Sequence, residues 1–116
     1  MLLLNLPYPP SVNTYYRNFN GRMVLSAQGR EFKQLVAEYV VENRVPKLGD
    51  AKLKITIIMR PRDKRKTDVD SRIKATLDAL ESAGVFDDDY QVEHLEVIRG
   101  EPIKNGKLVV TIEEIV

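Results

Sequence analysis

The sequence predicts an α+β fold: a single domain over residues 1–116 with one mixed β-sheet and two main helices, in the order β-β-α-β-α-β-β. Three observations carry that expectation. In "KLKITIIMR", residues 52–60, apolar Leu53, Ile55, Ile57 and Met59 alternate with Lys52, Lys54 and Thr56, the period of a half-buried strand. Behind Ser26, a suitable helix cap, Phe32, Leu35, Val36, Tyr39 and Val40 recur at helical spacing. Helices interleaved among strands, with two strands closing the chain, suggest helices packed mainly on one face of a sheet.

The elements follow in order. "MLLLNL" lacks a basic flank, is too short for a signal core and is stopped by "PYPP", so it reads as a strand. Residues 7–22 are rich in Pro, Asn and aromatics and read as an irregular loop, after which "RMVLS" is a short strand. The first helix ends at Asn43 and Pro46, and the strand at 52–60 delivers the chain into a basic loop. A second helix, headed by Asp70 and stopped by Gly84, sets Ile73, Leu77 and Leu80 on one stripe over about 13 residues, or roughly 20 Å. An acidic turn leads to "QVEHLEVIR" and "KLVVTIEE", joined through residues 102–106, where Asn105-Gly106 favours a tight turn and hence a terminal hairpin.

Composition narrows the chemistry. With 116 residues the chain suits one domain, and no stretch approaches the roughly 18 apolar residues of a membrane span, so a soluble protein is expected. The absence of Cys excludes disulfides, thiolate nucleophiles and Cys-ligated zinc, and fits a reducing, cytoplasmic setting. Net charge is only +1, but Arg60, Arg62, Lys64, Arg65, Lys66, Arg72 and Lys74 outnumber Asp63, Asp68 and Asp70 to give a local excess of +4. That segment either attracts a phosphate backbone or is a solvated loop.

Asp68 and Asp70 raise the functional question. Asp70 alone is explained as a helix cap and Asp68 as an ion-pair partner for Arg65, Lys66 or Arg72. Lys74 follows Asp70 by one turn on the same face, which is also the spacing of an ordinary surface salt bridge. Asp87, Asp88 and Asp89 sit in a turn, where such residues serve solubility and turn chemistry alone; if a divalent cation joins one or two of them to Asp68 and Asp70, their mutual repulsion is relieved and an oxygen-only site suited to Mg²⁺ or Mn²⁺ forms. No Ser-His-Asp arrangement or glycine-rich phosphate loop is evident, and His94, the one histidine, reads as structural or exposed.

Three blocks in register, "PPSVNTYYRNFNGRMVLSAQGREFK", "DVDSRIKATLDAL" and "FDDDYQVEHLEV", resemble the RusA family of Holliday junction resolvases over nearly the whole chain. The family signature, Asp-x-Asp with Lys four positions on and a further Asp before x-Gln-Val, falls on Asp68, Asp70, Lys74 and Asp89. Ser71 stands where the family usually has Asn, and Thr67 where it usually has a basic residue. The resemblance implies a homodimeric, Mg²⁺-dependent endonuclease, without an organic cofactor, that cuts four-way DNA junctions in bacteria or their phages. Asp68, Asp70 and Asp89 would be metal ligands, Asp88 an additional one, and Lys74 catalytic.

DNA would be held by Arg62, Lys64, Arg65, Lys66 and Arg72 through phosphates, and by Tyr15, Tyr16, Arg17 and Arg22 in the N-terminal loop, where the tyrosines either stack on unpaired bases or anchor the loop. A module that binds branched DNA without cutting it, and a metal nuclease acting on flaps or single strands, remain open. Asp89 follows the far end of the second helix, so it reaches Asp70 either by an extended return of residues 84–88 or from the other protomer of the dimer.

Overall fold

The computed structural model describes all 116 residues and orders them as β1 (Leu2–Leu6), α1 (Val12–Tyr15), β2 (Tyr16–Phe19), β3 (Arg22–Leu25), α2 (Ala27–Glu42), β4 (Leu53–Arg60), α3 (Ile73–Ser82), a 3₁₀ turn at Asp89–Gln91, β5 (Val92–Arg99) and β6 (Lys107–Glu114). The alternation in β4 makes it a central strand: Leu53, Ile55, Ile57 and Met59 are each 0 % exposed. It pairs with β6 antiparallel and with β5 parallel, and β1 completes the mixed sheet in the order β1-β6-β4-β5.

Leu4 and Leu6 of β1 and Leu108, Val110 and Ile112 of β6 share the buried face of β4, against which α2 sets Phe32, Val36 and Val40 and α3 sets Ala75, Ala79 and Leu80. Each large side chain buried there stabilises the fold by roughly 1.5–3 kcal/mol. The helices cover that one face, as expected. Leu35 of the anticipated stripe is instead exposed, while Tyr39 uses its hydroxyl to accept the Asn5 backbone N–H at 3.0 Å. In α3 the small residues Ala75 and Ala79 take the deepest positions, with Ile73 and Leu77 partly buried.

Three expectations are corrected. Residues 7–22 are not wholly irregular: they contain α1 and β2, and β2 pairs with β3 in a second, two-stranded sheet separate from the main one. Asn20 and Gly21, with φ of 51° and 77°, make its two-residue turn, the backbone that a tight hairpin demands. The terminal hairpin does not form, because β4 lies between β5 and β6. β5 carries Glu93, His94, Glu96 and Arg99 on both faces, so burial in the sheet centre would strand charges, and an edge position leaves them in water. Asn105 and Gly106 do turn the chain, with Gly106 N–H donating to Ile103 C=O at 2.8 Å, but they end a crossover over the end of β4.

The third correction concerns α3, which begins at Ile73 with Arg72 as its capping position, so Asp70 lies outside the helix. At 10 residues it is about 15 Å long, shorter than anticipated. The N-terminus of α2 is built as expected: Ser26 Oγ accepts the Gly29 N–H at 3.0 Å. Gly29 also lets the first turn lie against α1, since a Cβ there would sit 2.6 Å from the Tyr15 carbonyl oxygen and 2.9 Å from Leu25 Cδ1. Gly29→Ala is therefore expected to lower unfolding free energy by about 1–3 kcal/mol, read as a reduced urea midpoint at unchanged m-value.

Candidate functional site

The acidic turn is folded back by backbone bonds. After Gly84 (φ 83°), Val85 accepts the Leu48 N–H at 2.8 Å and Asp87 donates to Gly49 C=O at 3.1 Å, laying residues 85–87 along 48–49. The buried Gln91 carboxamide completes the clamp: its Oε1 accepts the N–H groups of Asp87 and Asp88 at 2.9 and 2.8 Å, and its Nε2 donates to the carbonyls of Gly49 and Ala51 at 2.8 and 2.7 Å. Asp88 caps the 3₁₀ turn by accepting the Tyr90 N–H at 2.8 Å.

This return places Asp89 against α3 within one protomer. Its N–H donates to Glu81 Oε1 at 2.9 Å, and its carboxylate lies 4.0 Å from Lys74 Nζ. Lys74 and Glu81 are seven residues apart, about two turns on one helix face, so Asp89 bridges them. Carboxylate oxygens of Glu81, Asp88 and Asp89 meet within 4.8 Å of one another. Glu81 was not anticipated; its spacing from Lys74 was the available signal, but its partners come from the returning chain.

Asp68 and Asp70 are exposed in the turns before α3 and are not part of that trio. Their backbone carbonyls accept the Ser71 and Ile73 N–H groups at 3.4 and 3.3 Å, while neither carboxylate has a hydrogen-bond or ion-pair partner in the chain. Lys74 therefore pairs with Asp89 and not with Asp70. The trio of Glu81, Asp88 and Asp89 is an oxygen-only donor set, the chemistry of a hard divalent cation, and the structure brings neither Asp68 nor Asp70 into it.

Among the basic residues, Arg62, Lys64, Arg65 and Lys66 are exposed. Asp63 accepts hydrogen bonds from the Arg65 side chain and backbone, which hold its carboxyl below the usual carboxylate range and raise the Arg65 guanidinium. Arg72 differs: it is 8 % exposed, and its side chain donates to Pro9 C=O. Arg17 and Arg22 are exposed on the β2–β3 hairpin, Arg17 lying 5.0 Å over the Phe19 ring, and His94 is exposed 3.7 Å from Glu96.

Tyr15 is a correction. At 0 % exposure it has no ring face for a base; it anchors the N-terminal segment, with its hydroxyl donating to Asp78. Burial, then the Asp78 bond, push its phenol well above the ordinary range. Tyr16 is half-buried and meets Tyr15 edge-on at 4.9 Å.

Comparison with known proteins gives one family. The family model described as "Endodeoxyribonuclease RusA" matches residues 7–113. The chain is 39 % identical over 112 residues to the crossover junction endodeoxyribonuclease RusA of Escherichia coli (strain K12), covering 96 % of this chain and 92 % of that protein. It is 34 % identical over 110 residues to the crossover junction endodeoxyribonuclease of Enterobacteria phage HK97, covering 95 % and 92 %. The corresponding protein of Enterobacteria phage 82 is 38 % identical over 112 residues.

Because Gln91 satisfies four backbone groups, Gln91→Glu removes both donors to Gly49 and Ala51 and is expected to cost about 2–4 kcal/mol at neutral pH in a urea titration. Tyr90→Ala, at a position 87 % exposed, should leave the midpoint unchanged.

Proposed function

The chain belongs to the RusA family of endodeoxyribonucleases, and we propose on that premise that it is a Mg²⁺-dependent enzyme that resolves four-way DNA junctions during recombination and repair. The observation that carries this reading is the family correspondence across residues 7–113. The approach of Lys74 to Asp89, 15 positions apart in sequence, supports it by joining two of the signature residues in space.

Asp68, Asp70 and Asp89 would hold Mg²⁺, or Mn²⁺ in its place, with Asp88 beside them; no organic cofactor is needed. When bound, the ion supplies charge relief on the scissile phosphate and a water that is nucleophilic at neutral pH. The water oxygen forms a bond to phosphorus, the bond from phosphorus to O3′ breaks, and the departing O3′ takes a proton, leaving 5′-phosphate and 3′-hydroxyl ends. Lys74, placed at the Asp89 carboxylate, orients the water or stabilises the charge that develops on the phosphorane. Arg62, Lys64, Arg65, Lys66 and Arg72 hold flanking phosphates, with Tyr16, Arg17 and Arg22 contributing from the hairpin.

We assign the working form as a homodimer in the cytoplasm. Ile58 is paired with Val109 on one side and Ile98 on the other, so an apolar row crosses the sheet face that no helix covers, and Ile98 is 44 % exposed. A two-fold pair of sites matches a junction with two equivalent strands to cut.

Labelled four-way junction, duplex and flap should be incubated with and without Mg²⁺: paired nicks in the junction alone, lost with EDTA and restored by Mg²⁺ or Mn²⁺, are expected. Junction binding without cutting would leave a binding module, and preferential cutting of flaps another nuclease. Asp70→Asn should lower the cleavage rate by at least about 100-fold while junction affinity in a gel-shift titration stays within about twofold. Lys74→Ala should lower the single-turnover rate by about 10²–10³-fold with little change in affinity; an equal fall in both would make it a binding residue.

A further inference from the structure

The environment of Arg72 is unlike that of any other cation in the chain. It is 8 % exposed, yet no carboxylate pairs with it; its Nε–H has no acceptor, and its one hydrogen bond goes to the Pro9 carbonyl. The guanidinium lies 4.2 Å over the Tyr8 ring, and Arg62 lies 6.0 Å from the same ring. A buried guanidinium without a counter-charge costs stability, and an aromatic face offsets only part of that cost.

Arg72 also lines two neighbouring clefts. The first, about 230 Å³, has walls of Tyr8, Pro61, Arg62, Lys66, Thr67 and Arg72, together with the Asp63–Arg65 pair. Asp63 is its one acid and is already engaged by Arg65 at 2.9 Å, which leaves Arg62, Lys66 and Arg72 without a carboxylate. The second, about 350 Å³, shares Tyr8, Arg62 and Arg72 and continues along Pro9, Pro10 and Phe32.

We propose that the smaller cleft is a discrete binding site for one phosphate group, with Arg72 as its buried anchor and Tyr8 as the platform that fixes the guanidinium plane. Arginine forks match phosphate oxygens, and a phosphate seated here supplies the counter-charge that Arg72 lacks. Thr67 lines the cleft and adjoins Asp68, so the bound group is a phosphate next to the one to be cut, not the scissile one itself. This rests on the nuclease reading for its biological ligand, a DNA phosphodiester; inorganic phosphate shares the chemistry. It gives Tyr8 a part that no sequence pattern indicated.

The test is a nuclear magnetic resonance titration of the full chain, following the Arg72 Nε–Hε signal, with inorganic phosphate, with the dinucleotide dTpdT, and with the uncharged methylphosphonate analogue of dTpdT. Saturable shifts from dTpdT and from inorganic phosphate, none from the methylphosphonate, and roughly tenfold weaker binding in Tyr8→Leu are expected, as is similarly weakened binding in Arg72→Lys, read there from the backbone amide of Thr67 in the cleft wall. Arg62→Gln, at an exposed position, should fold normally and bind about threefold or more weakly, so the site stays testable if the buried variant fails to fold. Shifts from inorganic phosphate but not dTpdT would overturn the diester assignment. No shift from either, an equal shift from the methylphosphonate, or unchanged binding in folded Arg62→Gln and Tyr8→Leu would overturn the site. None of these readouts requires cleavage: phosphate binding by a chain that cuts no DNA sinks the nuclease reading alone, and junction cleavage with Arg72 undisturbed sinks the site alone.

Discussion

The site depends on one side-chain amide. β4 and β5 run parallel, so both enter the sheet at the same end, and the segments that lead into them, residues 49–51 and 87–91, must lie side by side. Gln91 joins them with two acceptor and two donor bonds while remaining buried. A carboxamide is the one neutral side-chain group type that offers this balance, so Leu would strand four backbone groups and Glu would strand two. The same clamp fixes the backbone on which Asp88 and Asp89 stand, so the register of the β4–β5 pair and the placement of the carboxylates are a single constraint.

Local chemistry was legible where the deciding contacts lie within one element. The alternation of β4 and the Ser26 cap with Phe32, Val36 and Val40 could be read directly, because burial there follows from period alone. Strand order could not. Asn105-Gly106 adopts the backbone its residues favour, but whether a turn closes a hairpin depends on which strand holds the centre of the sheet, and β4, with four wholly buried apolar side chains, outcompetes the charged β5. Asn20-Gly21, embedded among aromatics and prolines, was the pair that did close a hairpin.

The candidate site divides along the same line. Asp88, Asp89 and Lys74 could be picked out from the sequence, but Glu81 becomes visible only when residues 84–88 return along α3. The return of residues 84–88 brings Asp89 to α3 within one protomer, where Lys74 meets its carboxylate at 4.0 Å, while α3 itself starts three residues later than Asp70. Asp68 and Asp70 stay outside the helix because Ser71 and Ile73 take turn bonds to their carbonyls, which leaves both carboxylates directed at no partner in the protein. Exposed to water and held by no partner in the chain, both carboxylates keep their oxygens open to a ligand from solution.

The crossover that replaced the expected hairpin also reaches the basic cleft. At Gly106, φ is 70° and a Cβ would fall 2.5 Å from Tyr8 Cγ, so the glycine answers two demands at once: the left-handed turn and the close approach of an aromatic ring. Arg72 lies over that same ring at 4.2 Å, so Tyr8 is held between the turn before β6 and the residue that precedes α3. A side chain at position 106 would therefore move Tyr8, and through it the guanidinium, without touching Arg72 itself. The β5–β6 connection is thus part of the machinery that sets the Arg72 plane, which is why its glycine has to be understood from a contact 98 positions away and not from the strands on either side.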